Sequence, residues 1–338
     1  MRALQLRPGQ DWPNLVDLGM PTPRVGEVLL RVRAAGICRT DIHMIRNYRQ
    51  QRELPLILRH EIVGEVVSPG PKDGALQPGE LVLAHHKLVC GKCPPCTRGR
   101  ETLCLNAQVL GIDRDGGFAE YVVTEASRVI PLPASVTPAA GAALTCGGVT
   151  AYHALRTVAH LMPLETVLVL GTGGVGLFAV QIAKLLGAEV VAADLRVPAL
   201  QRATALGADR ILQVDPTAPG QSADQLGSDS VDVVLDLVGD PVMASSLTTT
   251  LRAGGRYVVT SGRQEDRLSL APFPLFRREL GLLGSRGSVF SELKEVAEIA
   301  ARGALDSSIA AQGSLEEGGD LLRRVENGEV VGRAVLIP

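Results

Sequence analysis

Aromatic residues are scarce in this 338-residue chain: one Trp, four Tyr and five Phe make up 3% of it, so the core must be aliphatic. No eighteen-residue apolar stretch runs free of charge, which argues against a membrane-spanning helix. The start, MRALQLRPGQDWPNLV, lacks the apolar core of a signal peptide, so a cytoplasmic protein is expected. A formal net charge of −2 without any long like-charged run makes nucleic acid a poor partner. Lysine is scarce beside arginine, which reads as a coding bias. What is present is a globular composition, 46% hydrophobic and 21% charged, at a length that suggests two domains.

The first 145 residues or so are rich in Val, Gly and Pro. EVLLRVRAAGI (27–37), EIVGEVVSPG (61–70), GELVLAHH (79–86) and FAEYVVT (118–124) read as strands separated by turns, the rhythm of a barrel or sandwich. The middle then alternates. TVLVL (166–170), AEVVAAD (188–194), DRILQV (209–214), VDVVLDLVG (231–239) and GGRYVVTSG (254–262) read as strands. VGLFAVQIAKLLG (175–187) and VPALQRATALGA (197–208) read as helices between them, which implies a doubly wound parallel sheet complete by about residue 280. The helix SELKEVAEIAARGA (291–304) and the strand-like GRAVLIP follow, and this last portion is assigned back to the β-rich part. The expected domains are therefore 1–145 with 281–338, and 146–280.

Four of the six cysteines, Cys90, Cys93, Cys96 and Cys104, fall in CGKCPPCTRGRETLC, within a lobe at 88–106. Two short Cys-x-x-Cys steps and a longer return suit a closed tetrahedral zinc of structural type. Such a site carries a formal charge of −2, which Lys92, Arg98 and Arg100 of the same loop partly offset. Disulfides or an iron–sulfur cluster remain alternatives for the same ligand type.

VLVLGTGGVGLFAVQIAKLLG places Gly171, Gly173 and Gly176 in a G-x-G-x-x-G pattern, with Gly174 and Val175 inside it. A strand precedes the turn, a helix follows, and Asp194 closes the next strand, the context of a dinucleotide fingerprint. Asp194 is suited to the adenosine ribose hydroxyls and would repel a 2′-phosphate, so NAD is favoured over NADP; Arg196, two residues on, weakens that preference.

Three candidate ligands are left over: Cys38 in GICRTDIH, His60 in LRHE and Cys146 in LTCGGVT. Two Cys and one His make a catalytic-type zinc set with one position open. Spacing alone does not prove that they converge, and a lone Cys or His is more often a packed core residue.

These motifs, in this order, together with GGFAEYV, LTCGGVTAYHAL and the terminal GEVVGRAVLIP, resemble the zinc-dependent alcohol dehydrogenases of the medium-chain dehydrogenase/reductase superfamily over almost the whole chain. The resemblance implies a GroES-like β-barrel catalytic domain split around an inserted Rossmann domain, two Zn²⁺ per chain, NAD, and a homodimer or homotetramer. It implies that Cys38, His60 and Cys146 ligate the catalytic zinc and that Glu61 is the nearby acid. It makes Asp41 the partner holding the His60 imidazole, Thr40 the group bonded to the substrate oxygen and His43 the outer member of a proton relay. Arg39 and Arg333 match the pyrophosphate-contacting arginines, and Tyr48 and His86 fall where the substrate pocket is lined. The implied reaction is reversible hydride transfer between an alcohol and NAD. A polyol, sugar or amino alcohol would use the same machinery, and a non-catalytic NAD(H)-binding sensor is the alternative of another class. Arg59 departs from the pattern, because relatives usually have glycine before the ligand histidine. Two readings are open for it: a solvated or salt-bridged side chain, or a pocket residue that selects an anionic or polyhydroxy substrate.

Overall fold

The computed structural model describes residues 1–48, 54–69 and 76–338. The chain divides into two compact units, residues 1–149 with 288–338 and residues 150–287. Against the expected divisions at 145/146 and 280/281, residues 146–149, Cys146 among them, fall in the first unit and residues 281–287 in the second.

The first unit is built on a mostly antiparallel seven-stranded sheet. Its central strand, Glu27–Ile37, pairs with Ile62–Ser68 on one side and with Arg333–Leu336 on the other, and also with Tyr121–Glu125. Val28, Leu30 and Val32 point into an aliphatic core with Ile62, Val82 and Phe118, while Arg31 on the same strand faces outward. The hairpin Arg2–Leu6 and Asn14–Asp17 adds a small sheet whose second strand is too short and exposed to carry an alternating pattern. The strand expected from Glu61 begins at Ile62, after a separate short strand at Leu56–Ile57. The chain between them is irregular, because Arg59 takes a left-handed φ of 101° that breaks the pleat.

The second unit carries a six-stranded, all-parallel sheet: Thr166–Leu170, Glu189–Asp194, Arg210–Gln213, Val231–Asp236, Leu251–Val259 and Gly281–Gly284. In space they run third, second, first, fourth, fifth, sixth, the doubly wound order whose reversal beside the first strand makes a ligand crevice. Every residue of Thr166–Leu170 is buried, as a parallel strand covered on both faces requires. The sheet extends past residue 280, and Gly281–Gly284 is its edge. Leu251–Val259 is an interior strand.

Candidate metal centres and dinucleotide turn

Strand order explains how distant ionisable residues meet. Ile37 ends the central strand, Ile62 begins one neighbour and Arg333 begins the other, so Cys38, His60–Glu61 and Arg333 emerge at one end of three adjacent strands. The backbone N–H of Gly36 donates to the carbonyl of Glu61 at 3.1 Å. A Cβ at Gly36 would lie 2.4 Å from Glu61 Oε2, so the carboxylate requires a residue without a side chain there. Cys38 caps the short helix Arg39–His43, and Cys146 sits in the buried π-helical turn Leu144–Gly148.

Donor atoms of Cys38, His60, Glu61 and Cys146 all lie within 4.8 Å of one another. The two thiols interact directly: the hydrogen bond with Cys146 holds Cys38 well below its ordinary pKa and pushes Cys146 well above. Two buried sulfurs sharing one proton beside an imidazole form a donor set that fits a divalent cation of the zinc type, which displaces protons from thiols on binding.

Arg59 is completely buried. Its Nη1 donates to Asp41 Oδ2 at 2.5 Å, and its Nη2 lies 2.5 Å from Glu61 Oε2 at an angle too poor for a hydrogen bond, so that contact is ionic. The expectation that Arg59 lines a substrate pocket is therefore corrected in favour of the salt-bridged reading: the guanidinium has no exposed surface and is held by two carboxylates. It is not solvated either. Arg333, expected at a pyrophosphate, is also buried, with Nη2 on the same Glu61 oxygen. Asp41 Oδ2 further accepts from the Cys38 N–H at 2.9 Å, and Oδ1 stands 3.9 Å from His60 Nδ1, too far for the expected hydrogen bond. His60 Nδ1 and Glu61 Oε1 are buried without hydrogen-bond partners among the described residues.

Thr40 Oγ1 lies 3.5 Å from Cys38 Sγ, and His43, one helical turn further on, is exposed, as is Arg39. His86 packs edge-on to His60 with ring centroids 5.6 Å apart, and its Nδ1 is 3.3 Å from the Thr145 carbonyl. Burial lowers its pKa well below 6.5, so the ring is neutral. Tyr48 closes the π-helical turn Met44–Tyr48, and its side chain lies outside the described residues.

In the cysteine lobe all four sulfurs converge: Cys93 to Cys96 is 3.5 Å, Cys93 to Cys104 is 3.9 Å and Cys104 to Cys90 is 3.6 Å. Sulfurs sharing a tetrahedral zinc stand roughly 3.8 Å apart, so the spacing fits that ion. The backbone N–H groups of Lys92 and Cys93 bring Cys90 down to about 6, whereas desolvation and then the neighbouring sulfurs push Cys96 up to about 12. Lys92, Arg98 and Arg100 are exposed in the same loop.

In the second unit, Gly171 has φ 93°, and a Cβ on Gly176 would lie 2.0 Å from its carbonyl oxygen, so neither position admits a side chain. Gly173 faces open space where the helix Gly174–Leu185 begins, room for a phosphate at a helix N-terminus. Asp194 Oδ2 accepts from Thr172 N–H and Oγ1–H, and Oδ1 accepts from Arg196 N–H and Nε–H. Burial opposes ionisation of Asp194, but the Arg196 donors outweigh it and hold the carboxyl below its usual range.

Comparison with known proteins agrees with this geometry. Residues 24–134 match the model for the alcohol dehydrogenase GroES-like domain, and residues 174–302 match that for the zinc-binding dehydrogenase. An NAD-dependent alcohol dehydrogenase of Saccharolobus solfataricus is 33% identical, with 100% of both chains covered. An alcohol dehydrogenase of Geobacillus stearothermophilus is 34% identical, over 95% of this chain and 94% of that one. Among solved structures, a cobalt- and zinc-bound thermostable alcohol dehydrogenase from Pyrobaculum aerophilum superposes with a TM-score of 0.90 at 29% identity, covering 100% of this chain and 99% of that one. A zinc-binding dehydrogenase from Sinorhizobium meliloti bound to NADP gives the same TM-score at 30% identity, with the same coverage. With full-length relatives above 30% identity, both domain models in place, and metal donors and a dinucleotide turn where such enzymes need them, the chain belongs to the zinc-binding alcohol dehydrogenase family of the medium-chain dehydrogenase/reductase superfamily.

Proposed function

We propose that this protein is a zinc-dependent oxidoreductase that transfers hydride reversibly between a small alcohol and NAD. The convergence of Cys38, His60 and Cys146 carries the reading, because that donor set leaves a position for a substrate oxygen. Bound there, zinc supplies Lewis-acid polarisation of that oxygen, and NAD at the glycine turn supplies the hydride acceptor. The remaining roles belong to the chain. Thr40, beside Cys38, accepts the proton of the substrate hydroxyl while giving up its own, and His43, one turn on and exposed, is the outer member of that relay and hands a proton to water. Arg39 is exposed and suited to a phosphate, whereas Arg333 is committed to Glu61. Gly171, Gly173, Gly174, Val175 and Gly176 frame the pyrophosphate. Asp194 takes the ribose hydroxyls and so favours NAD, with Arg196 held against it. Cys90, Cys93, Cys96 and Cys104 hold the second, structural zinc.

A polyol, sugar or amino alcohol is the second reading for the substrate. The neutral His86 ring beside His60 favours it, as a polar wall where a simple aliphatic pocket needs none. We place the protein in the cytoplasm as a homodimer or homotetramer. Six cysteines without a disulfide among them support the first, and the open edge at Gly281–Gly284 supports the second. No helix among the described residues is long and apolar enough to cross a membrane. The test is a panel of primary, secondary and polyhydroxy alcohols and their carbonyls, followed by NADH absorbance with NADP(H) alongside and with zinc counted per chain. Turnover with about two zincs is expected. No turnover on any substrate at full zinc content would favour the NAD(H)-binding sensor.

A further inference from the structure

Arg59 is among the largest fully buried side chains of the described residues, and none of the roles above uses it. Its surroundings are built for it. A Cβ at Gly116 would lie 1.9 Å from the Arg59 carbonyl oxygen and one at Gly111 would lie 2.2 Å from its nitrogen, so the loop behind it is pared to backbone. The Gly117 N–H donates to that carbonyl at 3.0 Å, and the guanidinium lies over the Phe118 ring, 5.9 Å from its centroid. From there the side chain reaches Asp41 and Glu61, two carboxylates near His60.

Glu61 is the member of the four-donor cluster whose state Arg59 controls. One of its oxygens lies within 4.8 Å of the Cys38, His60 and Cys146 donor atoms, close enough to compete for the open metal position. Oε2 is held by two guanidiniums, Arg59 and Arg333, while Oε1 has no hydrogen-bond partner among the described residues. A carboxylate neutralised twice on one oxygen is a weak donor at the other. Charge points the same way. Two guanidiniums balance Asp41 and Glu61, so the surroundings of the ligand set are neutral; without Arg59 one carboxylate is in excess, facing a cation.

We propose that Arg59 is a positioning residue that, with Arg333, restrains Glu61 from closing the fourth coordination position of the metal at Cys38, His60 and Cys146. It also anchors Asp41, which ties the Cys38 N–H and hence the start of the helix bearing Thr40 and His43. The inference rests on the metal reading given above.

The experiment uses the full chain with zinc kept in the cysteine lobe and Co²⁺ exchanged into the other site, whose visible d–d bands report the ligands directly. Three variants are compared with the parent: Arg59→Gly, Glu61→Gln, and the two combined. Folding is checked by circular dichroism. In Arg59→Gly the bands should shift to those of a carboxylate-ligated ion, and metal loss to a chelator should slow by about tenfold, the scale on which outer partners tune metal sites. In the double variant bands and rate should return to the parent's. Glu61→Gln alone should leave the parent bands in place, which also serves as the readout if Arg59→Gly does not fold. Unshifted bands in folded Arg59→Gly, a shift that persists in the double variant, or a shift in Glu61→Gln alone would overturn the inference. If the parent takes up no cobalt at this site, the metal reading itself falls, an outcome distinct from all of these.

Discussion

At the scale of single residues, chemistry was legible wherever the residue type is the function. Cys38, His60 and Cys146 are candidate ligands by type alone, and the structure brings their donor atoms together. Arg59 was not legible. Its partners Asp41 and Glu61 lie on different elements, and its left-handed backbone is a choice that sequence favours for glycine, not arginine. Thr40 is the residue whose loss should most directly separate chemistry from binding. Thr40→Ala should lower kcat by about 10²–10⁴, the usual weight of a positioned proton acceptor, with KM little changed, while Thr40→Ser keeps most activity. Steady-state kinetics with NADH absorbance checks this. His85 sets an acid limit. It is fully buried between the Ser288 hydroxyl and the Lys87 carbonyl, and burial lowers it to about 4. Its folded pKa is below its unfolded one, so its share of stability is whole above about 6.5 and is lost as pH falls towards 4, on the order of 3 kcal/mol in all. Urea unfolding at pH 7 and pH 5 should show a drop in midpoint that is smaller in His85→Gln.

At the scale of elements, buried parallel strands were the easiest to read, because Thr166–Leu170 and Val231–Asp236 are nearly unbroken apolar runs. The weakly patterned ones escaped: Asn14–Asp17 is mostly exposed, and Gly281–Gly284 alternates only between half-buried and exposed. The turn after Thr166–Leu170 makes its own prediction. Asp194 pairs with Arg196, so Asp194→Gly removes the carboxylate that would repel a 2′-phosphate and breaks its pairing with that guanidinium. The ratio of kcat/KM for NADP over NAD should rise by at least about tenfold, equal to about 1.4 kcal/mol of differential binding. The cysteine lobe is a separate element, closed by the short pair Lys87–Leu88 and Gln108–Val109. Cys93→Ser should halve the zinc content and lower the thermal midpoint, since ligand loss there removes metal-linked folding energy. Metal analysis beside calorimetry decides it; full zinc content in the variant would contradict the assignment.

At the scale of the whole molecule, the sheet of the second unit ends, among the described residues, in the edge strand Gly281–Gly284. Leu282 on that strand is 46% exposed. Unpaired edges of this kind recruit another strand, so Leu282→Lys should shift the protein towards monomer in analytical ultracentrifugation. An unchanged sedimentation coefficient would place the association elsewhere. The split of the first unit has a further consequence, for the order in which the molecule is made. Cys38, His60, Glu61 and Cys146 leave the ribosome early, but Arg333 follows Glu61 by 272 residues. Until then the central strand Glu27–Ile37 lacks its neighbour Arg333–Leu336, and Glu61 lacks one of its two cations. The whole dinucleotide-binding unit is synthesised during that wait. A nascent chain released before Arg333 would therefore hold its full set of metal donors with an unbalanced carboxylate among them, and the strand Arg333–Leu336 brings the second of the two cations that balance it.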